Sequence, residues 1–561
     1  MRKAFLLDVL TLALGLGLFF ALSLYQITLP GLYYDEAADA VPAVQLIRGQ
    51  EVELFKEAGI SLGNRDFPIT TMDYVGVVNT YALLPFFGLL GINVFSLRLM
   101  TVLAGGLTLV LGYLLGRALF GRGVAVPTVL LLAVHPSFIF WTRQGIYVTS
   151  VMGVMAMGSL LSLLWWKRSG QSRYLYLGAF LLGLGLSAKF LFLWQVLALA
   201  VIYAALSWGP RLLRRSAGVA LVAPQARSYQ RQGAANVGRP GPFPPPWRQR
   251  EMAAALPFLL GAGTLILYNV QTRGTLDTLA KNLVTTSNGV NNLAFFQNVV
   301  TELDAFRVLL NGGSFWFLGG LFTNQFYPAV FAISLAALGV VLLARREARI
   351  YGGRVLFLAG FIALMVVQSS FTVSRLDPAH LYILMPLPQM TIVLAGYLLA
   401  RYAPWRRAAL ALGVAVFMLL FGSDLWVDFQ YHRALSTSGG WFSHSDAIYG
   451  LADYLEERGA AKPMAMDWGI KANVQVLAQG KVNPLEIFQY SPEPAPSFVD
   501  WLYGAMQNPD NLYLFHSPDY TMFQRFRQFE ELATKLNRKI TVEMAFTQRD
   551  GTPVYLVYSV R

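Results

Sequence analysis

The sequence predicts a multi-pass α-helical membrane protein of about eleven transmembrane helices plus interfacial helices, closed by a small C-terminal extracytoplasmic α/β domain. Three observations predict it. Of 561 residues, 55% are hydrophobic and only 13% charged, against roughly 25% charged in soluble chains. Apolar runs able to cross about 30 Å of hydrocarbon recur up to residue 423. From about Ser445 the texture changes to short alternating helix and strand patterns.

Taken in order, the apolar runs cover approximately 4–25, 97–116, 124–141, 147–166, 174–188, 190–208, 252–270, 326–344, 354–371, 381–400 and 408–423. Arg2 and Lys3 hold the start of the first run on the cytoplasmic side, and its length and flanks suit an anchor better than a cleaved signal. The run from Tyr74 to Ile92 is also apolar, and whether it crosses fixes the side of every later loop. If it crosses, the stretch 209–250, with eight Arg and no acid, lies outside. That breaks the positive-inside rule, so the run reads as interfacial and the C-terminal domain falls outside the cell membrane. The stretch 209–250, rich in Pro and Arg, then reads as a cytoplasmic linker. The longer outer stretches are 26–96, 271–325 and 424–561.

Charge follows the same division. The chain carries 44 Lys and Arg against 31 Asp and Glu, and the excess lies wholly before residue 424. Basic residues between apolar runs mark topology, and no soluble basic face for nucleic acid is formed. With no Cys, thiol chemistry, disulfides and cysteine-ligated zinc are excluded.

The tail, 424–561, reads as helix 446–458, strand 463–468, helix 470–479, strand 512–515, helix 520–537 and strands 540–547 and 553–560. Asp550-Gly551 is the turn of the closing hairpin. No glycine-rich phosphate loop follows its first strand, which argues against a nucleotide site.

The strongest local feature is Tyr33-Tyr34-Asp35-Glu36, just past the first run. Two adjacent carboxylates at a hydrocarbon boundary are costly unless hydrated, paired or used. On a helix or turn they point about 100° apart, so one can face a cleft while the other binds a neighbour. A hydrated cap or salt bridge is the plain alternative to a catalytic base. The Asn-rich stretch from Asp277 to Arg307, including Asn288, Asn291 and Asn292, reads either as an amphipathic flap over a cleft or as a disordered loop.

Further short patterns follow Asp35-Glu36 in order. They are Ala43 to Gly49 (Ala-Val-Gln-Leu-Ile-Arg-Gly), Pro85 to Gly91, Ser96-Leu97-Arg98-Leu99, Gly116 to Gly121, His135-Pro136-Ser137-Phe138 with Trp141-Thr142-Arg143, and Tyr382 to Pro388. In this order the chain, over roughly residues 1–425, resembles the GT-C membrane glycosyltransferases of the protein mannosyltransferase and aminoarabinose transferase type. The resemblance implies a transferase that takes a sugar from a polyprenyl-phosphate donor. The acceptor is a hydroxyl of a protein, lipid or glycan on the outer membrane face, and the anomeric centre inverts. Asp35 matches the family's candidate base, with Glu36 orienting the site or joining it.

A departing lipid phosphate needs cations more than an acid. Few basic residues fall at the outer boundary, and Lys189, Arg375 and Arg143 are the candidates, with His380 and Tyr382 close to Arg375. Each cation has a plainer alternative: Lys189 snorkels, Arg375 pairs with Asp377, and Arg143 faces headgroups. Many relatives carry another carboxylate in the second outer loop, but Gln144 to Val148 offer none, and the Pro-Pro pair before the interfacial helix is missing. The five His, at 135, 380, 432, 444 and 516, have no metal-ligand spacing, so no cofactor is certain and a divalent metal stays open without support from ligand spacing. His135 and His444 read as structural. A transporter or flippase is the competing function; scarce ionisable residues within the spans and the lack of internal repeats argue against it.

Overall fold

The computed structural model describes residues 2–145, 149–216 and 247–561. Most of the Arg- and Pro-rich linker expected at 209–250 lies outside the described residues, as do 146–148 of the second loop.

Six helices are long and apolar enough to cross a membrane: Leu6–Leu24, Val94–Phe120, Thr149–Ser169, Phe326–Ala344, Arg346–Ser369 and Arg406–Ser438. Three bent pairs raise this to nine among the described residues. They are Arg122–Ala133 with Pro136–Gln144, Arg250–Gly261 with Gly263–Thr272, and Pro378–Leu384 with Leu387–Tyr402, bent by 60°, 65° and 52°. The first and last breaks fall at Pro136 and Pro386, where a proline disfavours helical geometry in the residue before it. These nine cover nine of the eleven expected runs. The other two fold as helices Ser172–Ala188 and Leu193–Ser216. The run 74–92 becomes a short strand, Val75–Gly76, and a helix of 13 residues, Val78–Leu90. At 1.5 Å per residue that helix spans about 20 Å, too short to cross by itself.

Helix Ser172–Ala188 packs on Ala255–Gly261 through glycine. A methyl at Gly183 would overlap the Phe258 carbonyl, and one at Gly261 the Phe180 carbonyl. With no side chain between them the two backbones approach closely, as small residues allow in membrane helix pairs.

The last long helix runs past residue 423, where its apolar run ends, to Ser438 as one element of 33 residues. Its polar residues do not terminate it, because Asp424, Asp428 and His432 recur every fourth residue and are buried inside the protein. Gly439, at φ 67°, caps it, so the sheet domain's own elements follow residue 438 rather than 424.

That domain carries a five-stranded sheet in the order Leu485–Glu486, Met464–Ala465, Leu512–His516, Pro553–Val560, Ile540–Thr547. The first three strands run parallel, and the last two form the expected antiparallel hairpin, turned at Gly551, φ 91°. Strand Leu485–Glu486 and helix Pro496–Met506 were not expected, because a two-residue strand leaves no alternation to read. The domain sits on the chain segment that follows the first helix. Asn473 Nδ2 donates to the Leu32 carbonyl at 2.9 Å, Lys471 pairs with Glu53 at 2.6 Å, and Arg48 bonds Gln479.

The glycine contact yields a stability test. Gly183→Val should overpack the helix pair at a cost of roughly 1–3 kcal/mol, read as a lower thermal midpoint in detergent, whereas Val at Gly339, which faces open space, should leave the midpoint unchanged.

Candidate active site

The site is built on a buried arginine. Arg98, fully buried in helix Val94–Phe120, donates from Nε to Glu36 Oε2 at 2.9 Å and from Nη2 to Glu36 Oε1 at 2.6 Å. Its Nη1 also donates to the carbonyls of Ile27 and Pro30, at 2.8 and 2.9 Å. Glu36 Oε1 in turn accepts from the Tyr33 N–H at 2.9 Å, closing the start of the short helix Tyr34–Ala38. Both oxygens of Glu36 are thus spent on holding the chain, and Asp35, one residue earlier, is turned by about 100° away from Arg98. Of the two acids, Asp35 is the one that faces the cleft charges.

The charges acting on Asp35 are those of Lys189, Asp39, Arg375 and Asp377. Lys189 is brought there by an unusual docking. Strand Val75–Gly76 bridges to Lys189, and the Phe190 N–H donates to the Tyr74 carbonyl at 2.9 Å. Gly76 permits this, since any side chain there would strike the Ser187 carbonyl. Lys189 therefore lies buried at the turn between helix Ser172–Ala188 and the 3-10 turn Phe190–Phe192. Arg375 and Asp377 come from the loop between helix Gly352–Ser369 and the turn Pro378–Leu384, where Asp377 Oδ1 accepts from the Ala379 N–H at 2.9 Å.

Burial pushes the Asp35 carboxyl up to about 7, with Lys189 and Arg375 opposing and Asp39 and Asp377 adding to the rise. Burial likewise pulls the Lys189 ammonium down to about 8, against the pull of Asp35, Asp377 and Asp39. Asp39, on the next turn after Asp35, is pushed up to about 6 by burial although Asn79 and Thr71 each donate to it at 3.1 Å. Asp377 is also raised by burial, less the effect of the Ala379 N–H, Arg375 and Lys189. Two acids and two cations thus act on the Asp35 carboxyl. A carboxylate near neutrality beside two cations suits proton abstraction next to a developing anion.

The remaining candidates divide. His380 is brought to the group and lines a small cavity with Lys189, Thr149 and Met152. Tyr382 is fully buried with its hydroxyl 2.7 Å from Thr142 Oγ1 and its ring stacked on Phe138. Arg143 is held apart: its Nη2 donates to the carbonyls of Tyr25, Gln26 and Leu29, at 3.0, 2.6 and 3.0 Å. Sequence reasoning missed Asp39, whose signal was its spacing of four residues from Asp35, and the role of Arg98, whose signal was a charge inside an apolar run. Among the described residues no group of three or more His, Asp or Glu is arranged to hold a metal ion.

The profile of dolichyl-phosphate-mannose-protein mannosyltransferases matches residues 76–223. No curated protein matches the chain at a significant level. The fold is similar to that of ArnT from Cupriavidus metallidurans in the apo state, at a TM-score of 0.57 and 12% identity, covering 99% of this chain and 98% of that one. It is equally similar to the same protein bound to undecaprenyl phosphate, at 0.57 and 13% identity over 98% and 97%. The chain therefore has the GT-C membrane glycosyltransferase fold, and the likeness extends beyond residue 425 through the sheet domain.

Replacing Arg98 by Met leaves Glu36 buried without its partner and should destabilise the protein by roughly 3–5 kcal/mol. The double variant Arg98→Met/Glu36→Met should recover much of the loss; thermal unfolding of the three proteins checks both outcomes.

Proposed function

We propose that this protein is a glycosyltransferase that moves a sugar from a polyprenyl-phosphate donor to a hydroxyl of a protein, lipid or glycan at the outer face of the membrane. One observation carries the reading: the Asp35 carboxylate, raised to about 7, lies within the electrostatic reach of the cations Lys189 and Arg375. The undecaprenyl phosphate bound to ArnT, a protein of the same fold, supports a donor of this class.

In the proposed reaction the acceptor oxygen attacks the anomeric carbon while the bond from that carbon to the phosphate oxygen breaks, which inverts the centre. Asp35 takes the acceptor's proton, and Lys189 and Arg375 hold the departing lipid phosphate. His380, beside Lys189, borders the phosphate position, and Tyr382 supports that wall through Thr142. Glu36 acts through Arg98 as a positioning residue, since its carboxylate oxygens are occupied. Arg143 organises the chain that leads to Asp35. The sheet domain bears on the same segment through Trp468, whose ring lies 4.5 Å from that of Tyr34.

Asp35→Asn should lower transfer by about 10²–10⁴-fold, the usual worth of a general base, while undecaprenyl phosphate still binds. Full activity in that variant, measured as radiolabelled sugar leaving the carrier, refutes the base.

The pH profile follows from the same groups. Asp35 must be ionised to accept a proton, so kcat/KM should rise as pH passes about 7. Lys189 must stay protonated to hold phosphate, so kcat/KM should fall as pH passes about 8. Lys189→Arg should move the alkaline limb upward and leave the acid limb in place.

A further inference from the structure

The Asn-rich stretch is ordered, and it has two faces. Helix Phe295–Asn311 turns Phe296, Val300 and Leu303 outward, all strongly exposed, in the i, i+4, i+7 spacing of a single apolar stripe. Such a stripe suits the lipid interface. The opposite face, with the chain just before it, grips the loop that leads to Arg375. Glu302 Oε2 accepts from Ser369 Oγ at 2.9 Å, and Asn298 Nδ2 donates to the Ser370 carbonyl at 3.2 Å. Asn292 makes the closest match. Its Nδ2 donates to the Thr372 carbonyl at 2.8 Å and its Oδ1 accepts from the Thr372 N–H at 3.1 Å. A third bond, from Nδ2 to the Asn282 carbonyl at 2.9 Å, ties the amide to its own segment.

All six residues of this ladder, Asn292, Asn298, Glu302, Ser369, Ser370 and Thr372, are buried. The Asn292 amide offers one donor and one acceptor to both backbone groups of Thr372, as a neighbouring β-strand would. Beyond Thr372 the chain is steadied once more, by the Ser374 N–H donating to Thr372 Oγ1 at 3.1 Å. The next residue is Arg375, whose charge acts on Asp35, Tyr33 and Tyr74.

We propose that Asn292 is a positioning residue for the donor phosphate, its paired hydrogen bonds to Thr372 fixing the backbone from which Arg375 enters the crevice. The inference rests on the reading of Arg375 as a phosphate cation. Helix Phe295–Asn311 lies with its apolar stripe in the interface and its polar side on the cation loop. A residue remote from the sugar thereby governs how tightly the carrier's phosphate is held.

The test measures undecaprenyl phosphate binding to the full-length protein in detergent by native mass spectrometry. The proteins compared are the natural one, Asn292→Ala, Asn292→Asp, Arg375→Gln and the double variant Asn292→Ala/Arg375→Gln. Loss of the paired bonds should weaken binding by about tenfold in Asn292→Ala. Asn292→Asp keeps the volume and the acceptor but loses both donated bonds and sets a carboxylate oxygen against two carbonyls; it should weaken binding at least as much, and the native charge-state distribution of each variant guards against a folding defect. In the Arg375→Gln background, Asn292→Ala should add no further loss, since its effect passes through Arg375. A loss that adds to that of Arg375→Gln overturns the positioning role, as does natural affinity in both Asn292 variants while Arg375→Gln binds weakly. Natural affinity in Arg375→Gln itself removes the donor reading, and the positioning role with it.

Discussion

The site depends on the desolvated guanidinium of Arg98. A charge taken out of water is tolerated only when its hydrogen bonds are met. Arg98 meets them with Glu36 and with the carbonyls of Ile27, Pro30 and Gly31. Arg143 gives one nitrogen, Nη2, to the carbonyls of Tyr25, Gln26 and Leu29. Two buried cations thus collect six carbonyls from one short stretch that is not helical and would otherwise leave its backbone unsatisfied. The chain between the first helix and Asp35 is defined by these bonds, and the direction of Asp35 is set by Glu36 being held beside it.

The sheet domain completes the same constraint from the other side. Tyr33 stacks on His444, and His444 on Phe317, with ring centroids 4.0 and 3.9 Å apart. Burial, with Arg98 nearby, pulls the His444 imidazole down to about 3, so the stack is a neutral one across the neutral pH range. Asn473 fixes the Leu32 carbonyl, and Trp468 packs on Tyr34. Asp35 is consequently gripped between the helical bundle and the domain. The charges that act most on Asp35 all come from the membrane part, so the domain's contribution is to hold the segment that carries it.

How much of this was legible follows the physics of each signal. Long apolar runs are local, so the spans were readable, and the Asp35-Glu36 pair stood out because charge at a hydrocarbon edge is expensive. Lys189 was legible for the same reason, as a cation interrupting an apolar hairpin. Three things were not. Which acid faces the crevice depends on Arg98, 62 residues further along. The true fate of Arg143 depends on carbonyls, which carry no sequence signal at all. Helix Arg406–Ser438 outlasts its apolar run because Asp424, Asp428 and His432 turn inward, where periodic polarity looks the same as a water-facing surface. The Asn-rich stretch left flap and disorder equally open, since an asparagine that caps a turn and one that clamps a distant loop are the same letter.

The composition of the crevice also bears on the chemistry it favours. Asp39 and Asp377 raise the affinity of Asp35 for its proton, while Lys189 and Arg375 oppose them. Without the two cations the acids would bind protons more tightly still and Asp35 would make a poor base near neutrality. Asp39 and Asp377 add to the rise that burial imposes on Asp35, so without them it would be a weaker base. The Tyr382 hydroxyl is bonded to Thr142 Oγ1, and Asp377 Oδ1 accepts from the Ala379 N–H. A leaving group that departs as a stable anion and asks only for positive charge fits these surroundings, and a lipid-linked phosphate is such a group.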